Sequence, residues 1–481
     1  MEDSESKQDG RDEKGRSLLS RIFSHPLIVP IALASSILFV GSSVRHALFH
    51  STAYDLSHFD QAIYLISQGK PAIVSLIDYH FLGSHADWIL YFLALPYRLY
   101  PDVHWLFAIQ AIALSFAALP LWYLAKDAGL SEKQSRAIVW VYLLYPLIFN
   151  VNLFDFHPSV LAVPLIFGAV LAARRSKVGW FAISIILMLG CRAALSLTAI
   201  GLGVWLLFWE KRRWCGAIAL LLGLFWLIIS TQVIIPHFRP EGVEALGRYA
   251  AFGNSIPEII LNLVLKPHLV LKHLFTVANL EYLILLFSPL IFSLSWLHLQ
   301  PLIATIPDFA LNLLADYPPH KDLLHQYSLP ILPFLMLCLI AAIAAKKGWL
   351  QQPKSMLIWS TIAFIALAKF GYFGTRYLHT LGTWQATREA ISLVRDEKSL
   401  LTSAQIAPHL SHRPLLKLIV NNEERDPTRF DTVLVNVTHP GWNSSSELAE
   451  SLVKQLTASP EFTLNYERDR VYLFERKGDK D

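Results

Sequence analysis

Residues 218–235 of this chain read IALLLGLFWLIISTQVII and carry no charged side chain. Residues 331–345, ILPFLMLCLIAAIAA, are also free of charge. A helix needs about 20 predominantly apolar residues to cross the hydrocarbon core of a bilayer, so runs like these are typical of membrane spans. The two runs therefore predict an integral membrane protein built from α-helices.

The composition of the whole chain supports this interpretation. Of its 481 residues, 54% are hydrophobic and 16% are charged, whereas soluble domains are usually about 25% charged. Apolar length predicts an all-α polytopic protein with about eleven spans, while residues 88–100 are too short and predict an interfacial or re-entrant helix. The predicted spans are 26–48, 103–124, 136–153, 157–173, 178–192, 193–209, 214–235, 280–297, 298–315, 327–345 and 353–373.

The positions of Lys and Arg predict the orientation. Basic clusters within residues 16–21, 126–136, 174–177, 211–213 and 346–347 all fall on one side of the predicted spans. Cytoplasmic loops carry an excess of such residues, so this side is predicted to be the cytoplasm and the membrane to be the plasma or inner membrane. The first span, which lacks a small-residue cleavage site before it, is expected to be retained.

Three regions follow from this topology. Residues 1–25 are predicted to form a polar cytoplasmic tail, and residues 26–374 a transmembrane domain with an outer loop at 50–102. Residues 375–481 are predicted to form a small α/β extracytoplasmic domain, because helical and strand patterns alternate there. Its predicted elements are helices at 384–395 and 445–456 and strands at 399–403 and 432–437.

Several functional classes are excluded or disfavoured. The net charge of +4 is small and the basic residues lie in short loops, so no nucleic-acid partner is expected. Cys191, Cys215 and Cys338 lack paired ligand spacing, so neither a disulfide framework nor a zinc site is predicted. The absence of a Walker motif, GxSxG and HExxH argues against an ATP-driven pump and a serine hydrolase.

Carboxylates and imidazoles gather in the first outer loop. Asp55 and Asp60 lie in the stretch YDLSHFDQAIY at 54–64, and His80 and His85 follow. A carboxylate there is suited to remove a proton from an acceptor, and imidazoles are suited to bind a departing phosphate. The alternative is an amphipathic interfacial helix whose polar residues face water.

Two further predicted site regions lie at the outer ends of spans. Asp155 and His157 are expected either in a polar cavity or at a helix cap ahead of Pro158. Arg192 is expected at the outer tip of a helical hairpin, where it either clamps a phosphate or extends to the interface. Other outward-facing basic, imidazole or phenol groups suited to a lipid phosphate are His237, Arg239, Arg248, His320, Lys321, His325 and Tyr327.

These segments together resemble a known family. The residues that carry the resemblance are Tyr54-Asp55-Leu56, Phe59-Asp60-Gln61, Asp155-Phe156-His157-Pro158, Ile235-Pro236-x-Phe238, His325-Gln326-Tyr327 with Pro333-Phe334, Ala407-Pro408-His409-Leu410-Ser411-x-Arg413 and Asp431-Thr432-Val433-Leu434. They resemble, over roughly residues 30–475, a family of predicted bacterial membrane proteins labelled domain of unknown function 2079. That family is in turn similar to the C-type glycosyltransferase (GT-C) superfamily.

The resemblance implies a membrane enzyme that transfers a sugar from a polyprenyl-phosphate-linked donor to an unidentified extracytoplasmic acceptor. GT-C enzymes place an essential Asp in the first outer loop, and Asp60-Gln61-x-x-Tyr64 resembles their motif. The resemblance therefore implies that Asp60 is the base, with Asp55 as the second candidate. The residues expected to bind the donor phosphate are Arg192, His157, His80, His85, Arg239, His325 and Tyr327. The residues expected to complete the site are Tyr54, Gln61, Tyr64 and Asp155.

One departure from the GT-C pattern concerns the residues after Arg192. Ala193 and Ala194 stand where the resemblance implies acids. If such acids bind a metal or an acceptor in relatives, this chain lacks that ability or is inactive, so a divalent cation stays open as a cofactor. The alternatives to a glycosyltransferase are a lipid or solute transporter, or a non-catalytic membrane scaffold.

Overall fold

The computed structural model describes residues 25–395, 398–421, 423 and 425–477. The predicted cytoplasmic tail at 1–25 lies outside these residues apart from His25. The α-helices span Ile28–Ala47, His58–Ser67, Leu82–His85, Leu90–Leu99, His104–Phe116, Ala118–Asp127, Glu132–Leu143, Pro146–Phe154, Ala162–Arg174, Val178–Leu189, Leu195–Phe208, Arg213–Ile229, Ile235–Phe238, Ile256–Leu265, Pro267–Leu274, Val277–Phe287, Ile306–Leu314, Leu332–Ala344, Pro353–Leu367, Phe370–His379, Leu381–Leu393 and Ser446–Ala458.

Helix length and hydropathy identify the strongest membrane-crossing segments. Within the described residues, four helical segments meet both criteria: Ile28–Ala47, His104–Asp127, Glu132–Phe154 and Arg213–Phe238. The pair Pro267–Leu274 and Val277–Ser293, bent by 60°, is a candidate fifth span. Six shorter apolar helices are Pro158–Arg174, Val178–Leu189, Leu195–Phe208, Ile256–Leu265, Leu332–Ala344 and Pro353–Leu367.

The count of eleven spans stays a prediction. The helix at 178–189 has 12 residues and the one at 195–208 has 14, so they are only about 18 and 21 Å long. The break between them contains Arg192, as expected for a hairpin tip. The predicted segments, 178–192 and 193–209, are also shorter than about 20 residues, and the helices in the structure end a few residues further from Arg192.

Helices 195–208 and 213–229 pack closely against each other. A Cβ on Gly203 would lie 2.7 Å from the backbone nitrogen of Leu220, and one on Gly216 would lie 2.9 Å from that of Leu207. Small residues let the backbones of two membrane helices approach closely. Helices 195–208 and 213–229 therefore form a tight pair, which becomes one wall of the site described below.

The C-terminal region contains a five-stranded mixed sheet. Its strands are β3 (Leu400–Thr402), β4 (Leu416–Leu418), β5 (Thr432–Asn436), β6 (Phe462–Arg468) and β7 (Val471–Arg476), in the spatial order β4-β3-β5-β7-β6. β3 runs parallel to β4 and β5, whereas β7 runs antiparallel to β5 and β6. A separate two-stranded sheet, β1 (Ile73–Val74) and β2 (Tyr79–His80), lies within residues 50–102, the predicted first outer loop.

Alternate residues of the large sheet face two different cores. Leu400 and Leu434 pack in the main core that includes Ala386 and Ala390 of helix 381–393. Val433 and its alternating neighbours pack instead against helix 446–458 in a second core. Both faces of the sheet are therefore covered by helices, and the predicted small α/β domain is present, although β4, β6 and β7 were not predicted.

Candidate functional site

Asp55 lies in a π-helical turn, Ala53–Ser57, at the start of the first outer loop. Its Oδ1 lies 3.2 Å from Nε2 of His157, and its Oδ2 accepts a hydrogen bond of 2.9 Å from the Thr52 hydroxyl. Burial acts to raise the pKa of Asp55, but these partners outweigh burial and lower the pKa to about 2. The side chain keeps 32% of its surface exposed, so an ionised carboxylate is accessible here.

The turn that carries His157 begins at a strained residue. Asp155 has φ 146° and ψ 177°, a conformation adopted almost only by glycine. Its carboxylate accepts hydrogen bonds from Arg45 and, at 2.9 Å, from the backbone N–H of Thr52. The Thr52 hydroxyl also lies 2.9 Å from this carboxylate, which shares the single hydroxyl proton with Asp55. Gln110 donates to the carbonyl of Asp155 at 3.2 Å and accepts from the N–H of His157 at 3.2 Å. Buried partners thus hold the turn in the shape that presents His157 to Asp55.

A cavity of about 420 Å³ lies nearby, and one end of it is cationic. Arg248 donates to Nε2 of His320 at 2.8 Å and to the hydroxyl of Tyr327 at 3.2 Å. The guanidinium of Arg192 lies 5.5 Å from the centre of the Tyr327 ring and 3.3 Å from Nε2 of His85. Both arginines therefore converge on Tyr327 at the wall of the same cavity.

The positive charge at this end is not neutralised. Among the residues that the structure describes, no carboxylate forms an ion pair with Arg192 or Arg248. Burial lowers the pKa of His85 well below its usual value and that of His320 to about 3, so both imidazoles are neutral at pH 7. Burial also raises the pKa of the neighbouring Asp87 to about 8 against the attraction of Arg192, which leaves this carboxyl mainly protonated.

The rest of the cavity is mostly apolar, although Thr231, Asp308, Asn312 and Gln326 also line it. Its walls come from helices 195–208, 256–265 and 306–314 and from the end of segment 213–238. The apolar lining includes Leu197, Leu227, Ile235, Ile256, Ile259, Leu263, Leu311 and Leu314. A cationic end joined to a mostly apolar chamber matches a ligand with an anionic head and a hydrocarbon tail.

Asp55 and the cavity are electrostatic neighbours. Arg248 lies 4.1 Å from the centre of the Tyr317 ring. Burial raises the pKa of the Tyr317 phenol, and the negative charge of Asp55 acts in the same direction while Arg248 opposes it. The ring of Tyr327, which lines the cavity, lies 6.4 Å from that of His325, and the Phe154 ring lies 4.4 Å from His325 and 5.9 Å from His157. Asp55 and the cationic end of the cavity therefore belong to one region.

Asp60, the expected base, lies in a different environment. Its carboxylate accepts hydrogen bonds from Tyr97 at 2.5 Å and from Ser411, and Nε2 of His412 lies 3.0 Å from it. The residue is only 1% exposed and does not line the cavity. Burial opposes its ionisation, but the charge and hydrogen bonds of His412 and the two hydroxyls lower the pKa of Asp60.

The neighbours of Asp60 complete a clamp between the outer loop and the C-terminal domain. The amide of Gln61 donates to Ser75 at 2.9 Å and to the carbonyl of Arg413 at 2.8 Å. The Tyr64 ring stacks on His412 with their centres 4.7 Å apart. Asp60, Gln61 and Tyr64 thus contact the C-terminal domain, and the role of Asp60 as a base stays a prediction.

Of the remaining predicted site residues, His325 lies near Asp55, whereas His80 and Arg239 lie outside the cavity. His325 is hydrogen-bonded to Asp322 at 2.8 Å and acts electrostatically on Asp55. His80 stacks on Phe238, and Arg239 donates to Glu244 at 2.7 Å. Neither His80 nor Arg239 lines the cavity, and the charge of Arg239 is neutralised by its partner.

Several polar residues of the site were not singled out from the sequence. Arg45 and Gln110 lie within predicted spans, and a polar residue inside a span is a recognisable functional signal. Arg248 and His320 were grouped only with other outward-facing residues. His58 and Thr52 gave no signal beyond their position beside Asp55 and Asp60. Within the described part of the chain, no group of three or more His, Cys, Asp or Glu is arranged to hold a metal ion.

Comparisons with known proteins agree with this architecture. The crystal structure of ArnT from Cupriavidus metallidurans bound to undecaprenyl phosphate matches with a TM-score of 0.51 and 12% identity, covering 93% of this chain and 97% of that chain. The apo structure of the same protein gives a TM-score of 0.50 and 11% identity, with coverages of 92% and 98%. ArnT is a GT-C glycosyltransferase, so this chain has a GT-C-like fold.

The sequence comparisons assign the family. No curated protein sequence matches the chain significantly. The family model described as "Predicted membrane protein (DUF2079)" matches residues 45–473, almost the whole of the described structure. The chain is therefore a membrane protein that belongs to the DUF2079 family.

Proposed function

We propose that this protein is a membrane glycosyltransferase that takes a sugar from a polyprenyl-phosphate-linked donor. The observation that carries the proposal is the pair of arginines without an ion-pair partner among the described residues, Arg192 and Arg248, in the wall of a mostly apolar cavity. A guanidinium matches the geometry of a phosphate, and the apolar chamber suits the isoprenoid chain. The GT-C-like fold supports the same donor class, since ArnT binds undecaprenyl phosphate.

In this proposal the two arginines stabilise the leaving group. The acceptor oxygen attacks the anomeric carbon, the bond from that carbon to the phosphate oxygen breaks, and the electron pair leaves with the polyprenyl phosphate. Negative charge therefore grows on the phosphate in the transition state. Fixed cations in a site that excludes water stabilise such charge more strongly than water does.

Asp55 takes the role of the base in this proposal. It is ionised at neutral pH, it is accessible, and His157 fixes one of its oxygens. A carboxylate of low pKa accepts the hydroxyl proton only as the new bond to the sugar forms and the hydroxyl becomes acidic. Asp60 instead holds the C-terminal domain against the predicted outer loop. Asp55, the second candidate from the sequence, therefore replaces Asp60 as the proposed base.

The proposed chemistry requires the site to open on the outer side of the membrane. The basic clusters predict a cytoplasmic N-terminus and an extracytoplasmic C-terminal domain. A donor anchored in the bilayer reaches such a site laterally, so no nucleotide-binding motif is needed.

Sugar transfer from a panel of radiolabelled polyprenyl-phosphate donors tests this proposal. The purified protein is reconstituted in lipid nanodiscs, and wild type is compared with Asp55→Asn. Transfer or donor hydrolysis that requires Asp55 supports the enzyme. Turnover of no donor by the wild type contradicts it.

A lipid transporter is the second candidate, and one residue favours it. Asp308 is 4% exposed, accepts a hydrogen bond of 2.7 Å from Thr198, and lines the same cavity. Ionisable groups buried at membrane depth are common in transport pathways. Movement of a fluorescent polyprenyl phosphate between leaflets that is lost in Asp308→Asn, without any sugar transfer by the wild type, would favour this alternative.

A further inference from the structure

Two exposed aromatic rings meet beside the proposed base. Tyr54 directly precedes Asp55 and is 40% exposed, and Trp442 of the C-terminal domain is 65% exposed. Their ring centres lie 5.5 Å apart at an interplanar angle of 80°. Tyr54 and Trp442, which lie far apart in the sequence, thus bring two large aromatic rings into contact at the surface of the protein.

Charged groups surround these rings. Burial raises the pKa of the Tyr54 phenol, Glu423 and Asp78 act in the same direction, and Arg425 opposes them. Asp78 is paired with Lys417 at 2.5 Å, and Arg425 is paired with Glu423. The aromatic pair therefore sits among carboxylates and cations, which supply hydrogen-bond donors and acceptors beside an apolar surface.

Backbone geometry fixes the position of Trp442. Its neighbours Gly441 and Asn443 have φ values of 92° and 54°, so the loop is a defined turn of left-handed residues. The carbonyl of Asn443 accepts a hydrogen bond of 2.8 Å from the N–H of Asn421. A Cβ on Gly441 would lie 3.0 Å from the nitrogen of Ala404, so the turn packs closely on the domain.

We infer that Tyr54 and Trp442 form the binding surface for a carbohydrate acceptor. A pyranose ring has an apolar face of C–H groups that packs on aromatic rings, and an edge of hydroxyls that bonds to charged side chains. The surface begins one residue from Asp55, so a bound glycan presents a hydroxyl near the proposed base. This inference rests on the proposed function and adds the chemical class of its acceptor.

Glycan binding tests the inference independently of turnover. The full chain in nanodiscs is applied to an array of glucose, mannose, galactose and N-acetylglucosamine oligomers. Wild type and Asp55→Asn are expected to bind the same glycan, while Trp442→Ala and Tyr54→Ala each lose about tenfold in affinity, equal to about 1.4 kcal/mol. Trp349→Ala, which alters an 80% exposed tryptophan elsewhere, is the matched control and is expected to bind as wild type.

Three outcomes would overturn the inference. They are binding to no member of the array, binding that survives both aromatic substitutions, and binding lost equally in Trp349→Ala. A loss of affinity for protein-free lipid vesicles in Trp442→Ala, with glycan binding intact, would assign the surface to the membrane instead. Because donor hydrolysis needs no acceptor glycan, its dependence on Asp55 reports separately on the proposed function.

Discussion

The Nε2 atom of His157 lies 3.2 Å from Oδ1 of Asp55, although 102 residues separate the two in sequence. The contact depends on the strained turn at Asp155, which is held by Arg45, Thr52 and Gln110. Such strain persists only where the surroundings enforce it, and it is common at functional sites. In the proposed function, the two carboxylates Asp55 and Asp60 therefore take different roles.

The first prediction separates Asp55 from Asp60. Asp55→Asn removes the base, so transfer is expected to fall by about 10²–10⁴-fold while undecaprenyl phosphate binds as before. Asp60→Asn is expected to retain turnover at temperatures where the protein remains folded. Initial rates of sugar transfer and lipid affinity are measured for both variants. Loss of turnover in folded Asp60→Asn, with Asp55→Asn active, would restore Asp60 as the base.

The second prediction concerns the clamp formed by Asp60. Because the carboxylate is buried and bonded to Tyr97, Ser411 and His412, Asp60→Asn is expected to destabilise the protein by about 3 kcal/mol. Asp127→Asn, which breaks a surface pair with Arg175, is the matched control and should cost less than about 1 kcal/mol. Thermal unfolding in detergent measures both variants, and equal stabilities would argue against the clamp.

The third prediction uses the pH dependence of stability. Burial lowers the pKa of His58 to about 4 despite the attraction of Asp55. The unfolded chain therefore binds a proton at His58 below about pH 6.5 that the folded protein does not bind until about pH 4, so acidification through this window lowers stability. Replacing His58 with Gln should reduce the stability lost between pH 7 and pH 5 by about 2 kcal/mol.

Melting temperatures of the variants at pH 7 and pH 5 check the histidine effect. His268→Gln, at an exposed position, is the matched control and should keep the wild-type pH dependence. A pH dependence unchanged by His58→Gln would show that other groups cause the acid sensitivity.

The fourth prediction concerns the cavity wall. A Cβ on Gly201 would lie 2.0 Å from the carbonyl oxygen of Ala304, a backbone atom that cannot rotate away. Gly201→Ala is therefore expected to destabilise the protein by at least about 2 kcal/mol. Gly179→Ala, where a Cβ meets nothing within 4 Å, should be neutral or stabilising. Thermal unfolding measures both, and a stable Gly201→Ala would mean that the helix shifts easily.

Several residues that local sequence signals singled out lie close together in the structure, and their role in a site stays a prediction. The Asp155 to His157 turn, Arg192 and Tyr327 all lie in the polar region, because polar residues at the ends of apolar runs must gather on one side of a membrane. The membrane environment and the GT-C-like fold could also be predicted from the sequence, since both depend on long apolar runs and distributed motifs. These properties follow from local chemistry and do not require the tertiary contacts.

Other features depended on contacts that the sequence does not display. The partners of Asp60, Ser411 and His412, lie 351 and 352 residues away, so its burial could not be read from its own loop. The β6–β7 hairpin was missed because its turn uses Asp469 and Arg470, both with positive φ, instead of the usual Gly or Asn.

Lipid binding tests the central claim, that Arg192 and Arg248 hold a lipid phosphate, most directly. The affinity of undecaprenyl phosphate is measured in nanodiscs for wild type, Arg192→Gln, Arg248→Gln and the matched control Arg239→Gln, with undecaprenol as the uncharged ligand. A charge-assisted hydrogen bond contributes about 1.5–3 kcal/mol, so each of the first two variants should lose about 10- to 100-fold. Arg239→Gln should bind as wild type, and undecaprenol should bind all four proteins equally. Equal affinities of undecaprenyl phosphate for wild type and both cavity variants would contradict the account.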